Sequence, residues 1–239
     1  MSCEPMLSLG VRYTVCRVDL RADRLRLFLR DDAGQPFKDF DTLDAWINMR
    51  GETLRFAMNA GMYHADLSPV GLFHAEGQQS FALNLADGYG NFFLKPNGVF
   101  LVTAAGARVL DSTEYPSLPE SPILATQSGP LLARNGVINS KFNPESHSRL
   151  IRNGVGVASP YTAIFAISEQ PVNFYQFASL FVHDLHCPDA LYLDGSISSL
   201  YAPELKRDDA RANLGPIIGV VQPLPDTSAI APANAPRGQ

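Results

Sequence analysis

Two stretches near the start of the chain alternate between apolar and polar positions. Val11, Tyr13 and Val15 form the first, and Leu25, Leu27 and Leu29 set against Arg24, Arg26 and Arg30 form the second. A period of two puts successive side chains on opposite faces of a strand, so residues 11–30 are expected to form a hairpin of half-buried strands. The period then lengthens. Leu43, Trp46 and Ile47 share one helical face, Asp41 has N-cap chemistry and Gly51 offers a stop, which predicts a short amphipathic helix. From Phe56 to Val157 glycine, proline and asparagine interrupt short apolar runs, the pattern of strands joined by tight turns. Asn-Gly-Val occurs at 97–99, 135–137 and 153–155. Asn-Gly supplies the positive φ angles of hairpin turns, and the flanks match at no fixed period, so three turns are expected rather than a repeat.

Residues 161–167 are nearly all apolar and are expected to form a strand buried on both faces. After Pro171 the period becomes 3.6, with Phe174, Phe177, Ala178, Phe181, Val182 and Leu185 on one stripe behind a plausible Asn173 cap. Pro188 ends that helix, and residues 190–193 form a short strand leading into Asp194. Strand, helix and strand at this spacing suggest a crossover unit. The expected fold is of the α+β (mixed α/β) class: a single compact domain over residues 5–222, with a mixed, largely antiparallel sheet, hairpins and a few packed helices. Residues 223–239 are rich in Pro and Ala without periodicity and are expected to be a disordered tail.

Composition narrows the function classes. Of 239 residues 46% are hydrophobic, enough for a substantial core, and the net charge of -5 comes with no block of like charges. A nucleic-acid footprint or a polybasic membrane patch is not expected. No apolar run reaches the roughly 18 residues of a membrane-spanning helix. No basic and apolar leader is visible in the chain, although one could have been removed. Cys3, Cys16 and Cys187 show no C-x-x-C spacing. Cys3 and Cys16 flank an apparent strand and suit a disulfide in an oxidising compartment; three free thiols is the alternative.

Four segments join glycines that shape the backbone to polar side chains. They are residues 59–63 leading to 68–72, residues 125–130, residues 148–156 and residues 193–199. At such places backbone N–H groups and short side chains can approach a ligand closely, which suits sugars and phosphates; each taken singly also reads as an ordinary turn. In this order they resemble the phosphodiester glycosidase family, over about residues 10–222. The family's Asn-Gly-Gly-Phe-Phe-like opening corresponds to Asn59-Ala60-Gly61-Met62-Tyr63, followed by the Pro-x-Gly of Pro69–Gly71. Its Gln-x-Gly-Pro segment corresponds to Gln127-Ser128-Gly129-Pro130. Its Arg-Thr-x-x-Gly corresponds to Arg152–Gly156, with Asn153 in place of Thr. Its Leu-Asp-Gly-Gly-Gly-Ser-Ser signature reads Leu193-Asp194-Gly195-Ser196-Ile197-Ser198-Ser199, with Ser196 and Ile197 replacing two glycines.

The resemblance implies hydrolysis of a glycosyl phosphodiester at the anomeric carbon, giving free sugar and a phosphate monoester, on envelope or exopolysaccharide glycans. A non-catalytic module binding phosphorylated glycans is the alternative, suggested by the lost glycines and Asn153. Because a phosphate monoester leaves readily, one carboxylate and an anion clamp can suffice. Asp194, at the end of a strand, is the expected base or nucleophile, and Arg152 the expected phosphate fork, with Arg149 as helper. Asn59 and Gln127 are expected to hold sugar hydroxyls. Ser128 and Gly129, with Gly195, Ser196, Ser198 and Ser199, are expected to contact substrate. His64 and His147 stand beside the motifs as candidates to line the pocket. His183, His186 and Cys187 lack a clear further ligand, so no metal is expected, nor any cofactor. Asp66 and Glu114 are spare carboxylates. The substrate class implies a periplasmic or secreted location, with the cytoplasm as the alternative.

Overall fold

The computed structural model of the protein describes residues 1–209 and 211–224. In chain order its strands are β1 (Ser2–Ser8), β2 (Val11–Asp19), β3 (Arg24–Phe28), β4 (Glu52–Asn59), β5 (Phe73–Ala75), β6 (Gln78–Phe81), β7 (Gly98–Thr103), β8 (Gly106–Asp111), β9 (Leu124–Ser128), β10 (Leu131–Arg134), β11 (Val137–Ile138), β12 (Asn153–Ser159), β13 (Thr162–Ser168), β14 (Asp189–Asp194), β15 (Leu200–Ala202), β16 (Arg207–Asp208) and β17 (Ile217–Pro223). Helix α1 (Phe40–Asn48) separates β3 from β4, and helix α2 (Phe174–Ser179) separates β13 from β14. The strands form three antiparallel sheets: a large one in the order β1-β2-β13-β12-β14-β10-β11, and two smaller ones, β16-β15-β4-β17-β3 and β6-β5-β9-β7-β8. The protein is thus an α+β domain dominated by sheet.

All three sheets meet at Phe165. Its ring lies 5.1 Å from that of Phe56 on β4 and 5.9 Å from that of Phe100 on β7. Residues 163, 165 and 167 of β13 face this shared core, whereas Ile164 and Ala166 face Phe177 and Phe181 on the helical side. The apolar run at 161–167 is therefore buried on both faces because different layers cover the two faces. Helix α1 covers the outer face of the second sheet, with Leu43 and Ile47 against Phe28 and Ile217. Its N-cap is Asp39, whose carboxylate accepts from Thr42 N at 2.7 Å, two residues before the expected Asp41.

The expected hairpin over 11–30 does not form. β2 lies between β1 and β13, while β3 joins the second sheet beside β17. The turn after Asp19 carries the chain from one sheet to another. The first hairpin is β1–β2, closed over Leu9 and Gly10, with Cys3 opposite Cys16 and disulfide-bonded to it. Pro5 and the polar residues of β1 conceal a strand that occupies a sheet edge, where proline is tolerated.

Only one Asn-Gly-Val is a hairpin turn. Asn135 and Gly136 both have positive φ and join β10 to β11. Gly98 opens β7, and Asn153 opens β12 in the centre of the large sheet. There Gly154 and Gly156 serve close packing: a Cβ on Gly156 would lie 2.6 Å from Phe181 and 2.7 Å from Cys187, and one on Gly154 would lie 3.0 Å from Phe177.

Helix α2 starts at the expected Asn173 cap, where the structure adds a reciprocal capping box to Gln176. From Leu180 to Asp184 the winding loosens into a π-helical turn, closed by Leu185 N donating to Leu180 O at 3.0 Å. β13 and β14 both run antiparallel to β12 between them, so the crossover through α2 spans one strand. At the carboxyl end β17 runs to Pro223 and Leu224 N donates to Gly51 O at 2.9 Å, so the expected tail boundary at 223 falls inside the sheet. The remainder of that tail, 225–239, lies outside the described residues. Ordered structure also begins before residue 5, in β1. Among the described residues no helix is long and apolar enough to cross a membrane.

Candidate active site

β14 ends at Asp194 in the large sheet, and after five intervening residues the chain enters β15 in the second sheet. A polar knot holds this crossing. Asn153, opposite Asp194 in the ladder, donates through Nδ2 to Asn59 O at 2.9 Å and Oδ1 at 3.1 Å. Asn59 Oδ1 also accepts from Ser199 N at 2.9 Å. Ser198 Oγ lies 2.9 Å from Asp194 O and 3.2 Å from Asn153 Oδ1, and Ser199 Oγ donates to Ile197 O at 2.8 Å. All four side chains are buried. Their partners are within the protein, so Asn59, Ser198 and Ser199 shape the turn instead of presenting hydrogen bonds to a sugar or phosphate.

Gln127 departs from expectation in the same way. Its Oε1 accepts from Leu72 N at 3.0 Å and Asn84 N at 2.9 Å, while its Nε2 donates to Asn84 O at 2.7 Å and Ser112 Oγ at 3.0 Å. No capacity is left for a sugar hydroxyl. Instead the amide pins the start of the loop 84–97. Ser128 Oγ donates to Leu193 O at 2.9 Å, and Gly129 packs against Asn97, where a Cβ would approach within 2.7 Å.

The loop 84–97 forms one wall of an open cleft of ≈ 390 Å³ whose other wall is the Asp194 turn. Tyr89, Asn91, Phe92 and Phe93 come from the loop; Tyr192, Asp194, Gly195, Ser196 and Ile197 come from β14 and its turn; Met62 and Tyr63 close one end. Asp194 is 8% exposed, and its carboxylate accepts from Gly195 N. Burial pushes its carboxyl up to about 6, against the opposing pull of the N–H groups of Gly195, Ile197 and Ser196. It therefore caps its own turn and faces the cleft at once. Burial, with Asp194 nearby, pushes the Tyr63 phenol up to about 12.

Arg152 is not presented as a fork. Its guanidinium is completely buried and stacks 3.8 Å from the Phe174 ring centroid and 5.2 Å from that of Tyr192. Nε donates to Val172 O at 2.9 Å and Nη2 to Ser148 O at 3.1 Å. Burial draws its pKa below the usual guanidinium value. Arg149 is exposed and donates to Gln176 Oε1 at 2.8 Å, outside the cleft lining. His64 and His147 are exposed and do not line the cleft, because the turns that carry them point to solvent. His183, on the π turn, and His186, just beyond it, are both exposed. Of the expected contact residues, Asp194, Gly195 and Ser196 reach the cleft directly.

The aromatic residues were missed as site residues, Tyr192 above all. A period-two signal was available for it, since residues i and i+2 of a strand share a face and Tyr192 precedes Asp194 by two. For Tyr89 and Phe93 no comparable signal exists, because a loop without periodicity positions them.

Residues 52–221 match the family model for phosphodiester glycosidases, and the chain belongs to that family. YigE of Escherichia coli K12, an uncharacterized protein, is 39% identical over 184 residues, covering 77% of this chain and 72% of that protein. Among solved structures, the catalytic domain of zebrafish N-acetylglucosamine-1-phosphodiester alpha-N-acetylglucosaminidase, auto-inhibited by its pro-peptide, matches with a TM-score of 0.61 and 13% identity over 92% of this chain and 81% of that one. A putative exported protein of Burkholderia pseudomallei matches with a TM-score of 0.53 and 11% identity over 90% of this chain and 74% of that one. At these identities the structural matches establish the fold. The family supports a hydrolase of glycosidase type.

Proposed function

We propose that the protein hydrolyses glycosyl phosphodiesters, releasing a free sugar and a phosphate monoester. The observation that carries this reading is Asp194: a buried carboxylate with its pKa raised to about 6, at the floor of a cleft walled by aromatic rings. Tyr63, Tyr89 and Phe93 suit the apolar faces of a sugar ring. Ionised at neutral pH, Asp194 takes a proton from water as its oxygen attacks the anomeric carbon. The bond from that carbon to the phosphate oxygen breaks, and the phosphate monoester leaves with the electron pair. A carboxyl titrating near 6 is well matched to this work, because a base is most effective when its pKa lies near the working pH. The departing phosphate needs little protonation, in keeping with a cleft in which Asp194 is the one carboxylate among the described lining residues.

The same reading places the protein outside the cytoplasm, supported by the Cys3–Cys16 disulfide, and takes envelope or exopolysaccharide phosphodiesters as its substrates. A panel of sugar-1-phosphodiesters incubated with purified protein, with free sugar and phosphomonoester quantified in equal amounts, tests the activity. Binding of the panel without release of either product would leave a glycan-binding module in its place.

A further inference from the structure

No Lys or Arg lines the cleft among the described residues, although the proposed substrate carries an anion. Behind the lining, two buried polar groups stand without a well-aligned hydrogen bond. Arg152 Nη1 has no hydrogen-bond acceptor, while the other two nitrogens donate to backbone carbonyls. Tyr192 Oη is also buried and makes no well-aligned hydrogen bond, with the Arg152 guanidinium and the Asn91 side chain close by, and its residue lines the cleft. The phenol lies directly against the turn that carries Asp194: a Cβ on Gly195 would collide with Tyr192 Oη. A buried cation with no counterion and a buried hydroxyl whose neighbours are poorly aligned are both costly, and a folded protein rarely keeps the two side by side without use.

We propose that Tyr192, positioned and polarised by Arg152, is the residue that recognises the substrate's phosphate. The inference rests on the hydrolase reading and adds to it the group that touches the anion. A phosphate oxygen bound at the Gly195 turn accepts from Tyr192 Oη once the turn shifts aside, because the turn packs directly on that buried oxygen, and the Arg152 charge behind the ring compensates the anion's loss of water. Gly195 must lack a side chain for the phenol to reach this point. The stack on Phe174 and the bonds to Val172 O and Ser148 O hold the guanidinium in place, so that Arg152 acts as a positioning residue through Tyr192. A neutral hydroxyl would meet the same phenol but not the charge behind it, which selects for an anion.

The test is equilibrium binding of phenyl phosphate, followed by ³¹P NMR titration, to the wild-type chain and to Y192F, R152K and R152Q. Y192F removes an oxygen that makes no well-aligned hydrogen bond in the protein, so its melting temperature should change little while phenyl phosphate affinity falls about tenfold, the size of one hydrogen bond to a charged group. A residue with a merely structural role would not separate the two readouts. R152Q should lose at least as much affinity, and R152K should recover most of it. A wild-type chain that does not bind phenyl phosphate overturns the proposal, as does a Y192F chain that binds it as tightly as wild type. Should R152Q fail to fold, Y192F decides alone. Turnover of the phosphodiester panel is measured separately, so a failure of the hydrolase reading is distinguishable from a failure of the phosphate contact.

Discussion

The two sides of the Asp194 turn differ in how their polar groups are satisfied. On the inner side Asn59, Asn153, Ser198 and Ser199 form a closed network, and Gln127 does the same for the loop opposite. On the outer side Asp194 is buried with a raised pKa, and Arg152 Nη1 and Tyr192 Oη make no well-aligned hydrogen bond. Both sides are polar and buried, and, Tyr192 apart, both are drawn from the motifs that mark the family. Saturated groups stabilise the crossing between sheets, whereas unsatisfied ones carry a cost that only a ligand relieves. The difference separates residues that build the site from residues that act in it.

Changes on the outer side should damage function far more than stability. Asp194→Asn is expected to cut turnover of the responsive phosphodiester at least ~100-fold with the fold intact, the usual scale for a general base. Wild-type kcat/KM should climb through an acidic limb near pH 6 and level off above it; a limb that falls instead would make Asp194 an acid.

Asp194 also links stability to pH. Its folded pKa of about 6 lies above the ordinary carboxylate value, so its favourable contribution is present below about pH 4 and is lost as pH rises through 6. The free energy that separates the folded value from the ordinary one is about 3 kcal/mol. Asp194→Asn does not titrate, so it should be more stable than wild type by up to that amount at pH 8 and nearly equal to it at pH 4, as read from denaturant melts at the two values. Equal stability at both pH values would mean that the carboxylate is better solvated than its burial indicates.

Asn153→Ala is the corresponding change on the inner side. It strands Asn59 and the Ser199 turn and should cost about 2 kcal/mol of stability, seen as a shifted denaturant midpoint. A stable Asn153→Ala protein that has lost turnover would break the division between the two sides. Smallest of all, Gly156→Ala is remote from the cleft. Its Cβ would press on Phe181 and Cys187, costing about 1–2 kcal/mol as measured by thermal melting, with kcat unchanged.

Much of this architecture is visible in local pattern. The Asn173 cap, the double-faced strand at 161–167 and Asp194 at a strand end follow from periodicity and turn chemistry, which depend on neighbours a few residues away. The four motif segments point to the family, and through it to a sheet-rich α+β domain. The hairpin at 11–30 failed because alternation shows that a segment is a strand without naming its partner; β2 and β3 look alike in sequence and lie in different sheets. Asn-Gly at 153–154 failed for a related reason, since the same dipeptide that closes a turn at 135–136 serves at 154 to let Phe177 approach a central strand.

Local sequence pattern picks out the residues that are chemically capable: a carboxylate at a glycine-rich turn, side-chain amides and an arginine beside a strand. Which of them remain available to a substrate depends on how the sheets pack. Asn59 and Gln127 read as ligands until their partners, Asn153 and Asn84, are brought to them from distant parts of the chain, and Arg152 reads as an exposed fork until Phe174 and Tyr192 enclose it. Hydrogen-bond capacity is a property of a side chain, but whether it is already filled depends on contacts that only the packing of three sheets creates.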